Sequence, residues 1–77
     1  EGEHLFAVER LVVSPAAGVF TPVDNVRAGT VIEVGHLLGH VGEAEVRSPF
    51  AGRVENYIAV EGERVTARQP IAWLRTN

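Results

Sequence analysis

The chain is predicted to be an all-β domain of two similar halves, packed face to face as a sandwich about an approximate two-fold axis. Three observations predict this. One short pattern is written twice. Ser14-Pro15-Ala16-Ala17-Gly18 is followed by Gly29, Ile32, Gly35 and Leu38, and Ser48-Pro49-Phe50-Ala51-Gly52 is followed by Gly62, Val65, Arg68 and Ile71. The Ser-Pro-x-x-Gly blocks lie 34 positions apart and the later markers 33, so one residue is gained or lost between Gly18 and Gly29. Next, the apolar residues come in short runs rich in β-branched and aromatic side chains, each bounded by Gly, Pro, Asn or Asp: Leu11-Val12-Val13, Val31-Ile32, Leu37-Leu38, Tyr57-Ile58-Ala59-Val60 and Ile71-Ala72-Trp73-Leu74. Finally, no stretch long enough for a helix keeps a 3,4-spacing of apolar residues without a Gly or Pro interrupting it.

Residues 1–10 lie outside the repeat and suit an extra edge strand or a flexible arm; residues 11–77 make up the domain. Strands are expected at 5–13, 18–22, 30–33, 37–41, 45–48, 52–60, 64–66 and 70–75. Pro15 and Pro49 close a strand at the same phase of each copy, where a ladder donor can be given up. Gly18 and Gly52 each follow a proline by three residues, where a turn with positive φ is expected. Gly29 and Gly62 are turn glycines between two strands. Val41-Gly42-Glu43-Ala44-Glu45-Val46 has the pattern of a tight hairpin joining the halves. Each half exposes an apolar face that it cannot bury alone.

Composition bounds the function. Seventy-seven residues make one domain with a small core. With 45% apolar and 22% charged residues the chain is globular rather than disordered. A net charge of −3 and seven scattered arginines argue against nucleic acid, whose phosphates need clustered positive charge. There is no cysteine, hence no disulfide, thiolate metal site or Cys nucleophile. No apolar run approaches the ~20 residues of a membrane helix and no secretory signal is visible, so neither insertion nor export is expected. The chain also contains no lysine.

The ordered set apolar-Ser-Pro-x-x-Gly, turn Gly, Val/Ile-x-x-Gly-x-x-Leu, hairpin, then the same again, resembles the biotinyl/lipoyl carrier domains. The match is best in the second half, at Val46-Arg47-Ser48-Pro49-Phe50-Ala51-Gly52, Glu61-Gly62-Glu63-Arg64-Val65 and Gln69-Pro70-Ile71, and it spans Leu11 to Arg75. The resemblance implies a barrel-sandwich hybrid of two four-stranded sheets, with an exposed hairpin far from the termini. In carriers that hairpin presents a lysine whose amine attacks an acyl-adenylate. The equivalent hairpin here, around Gly42, Glu43, Ala44 and Glu45, has none and is shorter than the family's usual spacing. Arginine cannot replace lysine, because its guanidinium stays protonated and is a poor nucleophile. The chain is therefore expected to be a degenerate member that carries neither biotin nor lipoate.

Other side chains were weighed for chemistry. His36 and His40 are four apart, and with Glu33 or Glu43 they could hold Zn²⁺ or Ni²⁺, or one of them could carry phosphate. His36, however, stands at the turn position where the second copy has Gln69, so surface positions are the expectation. Glu43 and Glu45 could act as acid and base, but a two-residue turn offers no pocket to desolvate them. Glu55, Glu61 and Glu63 suit solvated positions. Ser14 and Ser48 lack a His or Asp partner, and their symmetry marks them as structural. Trp73 is expected in the core. Phe50, in its tight bend, forms with Arg47 and Arg53 the candidate docking patch, because interfaces favour aromatic and arginine side chains.

These readings converge on a non-enzymatic module with no cofactor and no metal. It would dock on a protein partner in the cytoplasm, with subunits of an acyl-CoA carboxylase or acyl-transfer system favoured. The alternatives are a lipoyl-like adaptor of a membrane-fusion or transport assembly, and a metal or phospho-histidine carrier acting through His36 or His40.

Overall fold

A computed structural model describes residues 8–76, which form eight strands and no helix. The strands are β1 (Val8–Val13), β2 (Gly18–Pro22), β3 (Val31–Ile32), β4 (Leu37–Val41), β5 (Ala44–Arg47), β6 (Gly52–Tyr57), β7 (Arg64–Val65) and β8 (Pro70–Thr76). They make two four-stranded antiparallel sheets, ordered β1-β8-β6-β3 and β5-β4-β2-β7. The repeat is visible in that order: β1 corresponds to β5, β8 to β4, β6 to β2 and β3 to β7. Each sheet takes two strands from each half, and four of the six strand pairings join different halves. The halves interlock rather than merely stack, so neither has a complete sheet of its own.

The core follows the same symmetry. Val12 matches Val46, Phe20 matches Val54, Val26 matches Ala59, Ile32 matches Val65, Leu38 matches Ile71 and Val41 matches Leu74; every one of these is buried. Removing such apolar surface from water is the main favourable term in a chain this small. The backbone repeats as well. Gly35 N donates to Ser48 O at 2.7 Å as Arg68 N does to Ser14 O at 2.8 Å, and Gly29 N donates to Val54 O at 2.7 Å as Gly62 N does to Phe20 O at 2.8 Å.

The change of spacing between the copies has a local cause. Phe20 and Val54 are 34 apart and pair with Val41 and Leu74 respectively. A bulge between Val54 and Asn56 then adds one residue to β6, so that Pro22 pairs with Gly39 where Tyr57, 35 later, pairs with Ala72. The following connection is two residues shorter in the second copy, which brings Val26 and Ala59 to 33. The single net difference in the sequence is thus one insertion in a strand and two deletions in a loop.

Several expectations need correction. The strand expected over 52–60 stops at Tyr57. The amides of Ile58 and Ala59 both donate to Ile71 O, at 2.7 and 3.1 Å, so the chain bends there. Past the bend Ala59 is buried and Ile58 and Val60 are exposed, so the apolar run continues beyond the end of the strand. β3 and β7 keep only two residues each, and β5 starts and ends one residue early. The part of the first strand expected at 5–7 lies outside the described residues.

Gly18 and Gly52 are not turn residues; they open β2 and β6. Gly52 is not among the residues with positive φ, whereas Gly18 does hold the positive φ expected of it, at 156°. Space demands glycine at Gly52, and at Gly18 a tight fit adds to the constraint of φ. A Cβ on Gly52 would lie 2.7 Å from Arg75 O, and one on Gly18 would lie 3.2 Å from Val41 Cγ1 and 3.3 Å from Gly42 N. Gly29 and Gly62 do hold turns, with φ of 94° and 87°. Pro15 and Pro49 sit in the bends just after β1 and β5, as expected.

Candidate functional site

The hairpin between β4 and β5 closes in two residues. Val41 pairs with Ala44, and Gly42 and Glu43 form the turn. Gly42 has φ of 59° and is the first central residue, the place where a type II′ hairpin turn requires glycine. Its amide donates to Val19 O at 3.0 Å, tying the tip to β2. Glu45 projects from the outer face of β5, where Arg47 Nε donates to it at 2.9 Å. That hydrogen bond and the guanidinium charge hold the Glu45 carboxyl below the usual carboxylate range, with a smaller contribution from His40. Arg47 also donates from Nη1 to Gly35 O at 2.8 Å, so both its contacts are local.

His40 lies within β4, in register with Glu45 on one side and Thr21 on the other. His36 precedes β4 in a turn, its amide donating to Glu33 O and its carbonyl accepting from Ser48 N. The two rings are therefore not on one continuous strand. Among the described residues no group of three His, Asp or Glu side chains gathers into a metal site.

The three residues expected to form one docking patch are placed on different elements. Arg47 belongs to β5 in one sheet, Arg53 to β6 in the other, and Phe50 to the bend between them. Phe50 is partly buried against the core, and its accessible contact is Arg10, whose guanidinium carbon lies 5.5 Å from the ring centroid. Arg53 donates to Glu55 Oε2 from Nε and Nη2, at 3.2 and 3.1 Å. Directly across, Arg75 reaches the same oxygen at 3.6 Å and Glu9 at 3.4 Å. Two arginines and two glutamates thus neutralise one another on the outer face of the β1-β8-β6-β3 sheet. Beside them a shallow groove of about 330 Å³ is lined by Val31, Gly52, Arg53, Arg75 and Thr76, with no carboxylate, histidine or serine in its wall.

Ser14 and Ser48 are buried, and each hydroxyl is satisfied inside its own bend. Ser48 Oγ donates to Phe50 O at 2.6 Å and accepts from Phe50 N at 3.1 Å; Ser14 makes the same pair of contacts with Ala16. They order the two bends and are not poised as nucleophiles.

Trp73, expected in the core, stands on the outer face instead. Its neighbours Ala72 and Leu74 point inward and are buried, while Trp73 is half-buried and lies in register with Leu11 on β1 and Asn56 on β6. The chain has a register shift there, so that Ile71 and Ala72 are both buried and the simple alternation breaks. Counting back from the exposed Arg75 by twos would have found Trp73 outside. Leu11 and Val13, on the same outer face, are 53% and 45% exposed. With Trp73 they form an apolar row that no local sequence signal marks.

No protein-family profile matches the chain, and no curated protein is significantly similar to it. Among the described residues no helix is long and apolar enough to cross a membrane.

Proposed function

We propose that the chain is a non-catalytic docking module of the biotinyl/lipoyl-like type that carries no prosthetic group. The hairpin tip carries this reading: where a carrier would present an amine, the chain closes a two-residue turn at Gly42 and Glu43 and contains no lysine anywhere. Without a lysine side-chain amine at that hairpin, a ligase has no nucleophile there with which to form the amide that holds biotin or lipoate. The interlocked two-sheet architecture and the duplicated turns agree with such a domain, although a fold hosts many functions. The groove beside Arg53 and Arg75 offers no nucleophile and base in reach of one another, which supports a binding role over catalysis. The proposed setting is cytoplasmic, with subunits of an acyl-CoA carboxylase or acyl-transfer system as the partners.

Two measurements test it. Incubation with purified biotin and lipoate ligases, ATP and the free acids should leave the intact mass unchanged; an adduct on any residue overturns the degenerate-carrier reading. Purified carboxylase subunits should be retained on the immobilised chain and released by Phe50→Ala. Retention of none of them rejects the proposed setting.

A further inference from the structure

The two outer faces of the sandwich are built from equivalent positions yet differ in character. On β5, β4 and β2 the central row is Glu45, His40 and Thr21. The corresponding row on β1, β8 and β6 is Leu11, Trp73 and Asn56. Where β5 has Arg47, β1 has Val13. The internal repeat therefore supplies its own control: one fold, the same outward positions, a polar and charged central row on one face and a largely apolar one on the other. The edges differ too. β5 has four residues and an outward Glu45–Arg47 ion pair at 2.9 Å, the kind of charged edge that discourages strand addition. β1 has six residues, and on the side away from β8 it has no neighbouring strand among the described residues.

We propose that a second copy of this chain pairs along this edge, β1 running antiparallel to β1 of the copy about a two-fold axis at Leu11, so that the apolar row of the outer face continues across the join. A two-fold axis normal to the sheet keeps Glu9, Leu11 and Val13 of both copies on the same side, which allows only registers that pair outward with outward residues. The register with Leu11 opposite itself places Glu9 opposite Val13 and Arg10 opposite Val12, so no like charges face each other. Of the two adjacent allowed registers, the one about Arg10 sets Arg10 against Arg10 and is disfavoured by that repulsion, and the one about Val12 sets Glu9 against Pro15, which has no amide to donate to the ladder. The nearby charges are already balanced, because Glu9, Arg75, Arg53 and Glu55 form a neutral row. A copy meets no excess of either sign there, although each chain carries −3 overall. The product is an eight-stranded sheet with Trp73 and Leu11 of both copies in one apolar row across it. A single strand edge falls at the small end of protein interfaces, so association belongs at about 10 μM to 1 mM.

Sedimentation equilibrium on the full chain across that range tests the proposal. The weight-average mass should rise towards twice the chain mass and rise further with added salt, because salt screens repulsion between two negatively charged copies. Leu11→Glu should hold the mass at that of one chain while leaving the melting temperature within a degree or two, since Leu11 is exposed. Thr21→Ala, on the opposite face, should leave association intact. Concentration-dependent amide shifts should be confined to β1 and the Trp73 indole. A single-chain mass throughout the range overturns the proposal. Association that survives Leu11→Glu overturns it as well.

Discussion

Gly39 gives Phe20 its place in the core. A Cβ on Gly39 would lie 2.9 Å from Phe20 Cε1, 2.5 Å from Thr21 O and 3.0 Å from Pro22 Cα. In the second copy the corresponding pair is Ala72 and Val54, both fully buried. The larger ring faces the residue without a side chain, and the smaller side chain faces the one with a methyl. Gly39→Ala should therefore destabilise the fold by about 2–3 kcal/mol through overpacking. Adding Phe20→Val should recover only part of that in urea melts, because the Thr21 carbonyl and Pro22 stay in the way. Full recovery would mean that the ring alone sets the constraint.

Gly35 and Arg68 hold the same turn in the two copies, with φ of 90° and 73°. Arg68 is the one non-glycine residue with positive φ among those described, in a region that costs an L-residue energy. Its amide donates to Ser14 O at 2.8 Å, so the surrounding hydrogen bonds impose the conformation. Arg68→Gly should raise stability by about 0.5–1 kcal/mol, and Gly35→Ala should lower it by a similar amount. Chemical denaturation of the two variants reads both signs.

The buried Ser48 hydroxyl both donates to and accepts from the backbone of Phe50. Ser48→Ala should cost about 1–2 kcal/mol, because it leaves groups of that bend without their partner. Ser14→Ala should cost a comparable amount, as its hydroxyl makes the same contacts with Ala16. A melting curve unchanged in both variants would show that the hydroxyls are dispensable and that Pro15 and Pro49 order the bends alone.

Tyr57 donates its hydroxyl to Leu38 O at 2.8 Å and packs against Phe20, with ring centroids 5.8 Å apart. Burial raises its pKa above the ordinary 10.0. The folded state therefore holds the phenol proton more tightly than the unfolded chain does. The stabilisation is complete below pH 10.0 and is lost as pH rises through the elevated folded value. Tyr57→Phe should lower stability at neutral pH by about 1 kcal/mol and flatten the decline in alkali. An unchanged alkaline slope would assign that decline to other groups.

Much of this was open to inspection in the chain. The repeated Ser-Pro-x-x-Gly blocks, the glycines at 29 and 62 and the Gly42-Glu43 hairpin could be read because each marks a local backbone demand. A period-two pattern also placed most strands. It failed at Tyr57–Val60, where alternation persists but a bend takes the chain out of the ladder, and at Trp73, where a bulge at Ile71 shifts the phase by one residue and so exchanges inside for outside. Among the proposed site residues, the lysine-less hairpin was legible from composition alone. The placement of Arg47, Phe50 and Arg53 on different elements was not, because their closeness in sequence spans a crossing from one sheet to the other.

The sequence by itself determined that the fold is β, duplicated and without a modifiable amine, since repeats, turn glycines and the absence of lysine are properties of single positions and short windows. Only the tertiary structure decided how the halves interlock, why Gly39 and Gly52 must be glycine, and that Trp73 lies with Leu11 on an outer face. Those facts depend on which distant backbone approaches a residue: Arg75 for Gly52, Thr21 for Gly39 and Leu11 for Trp73. Pairings between strands far apart in the chain are set by packing the whole core at once, and no local window contains them.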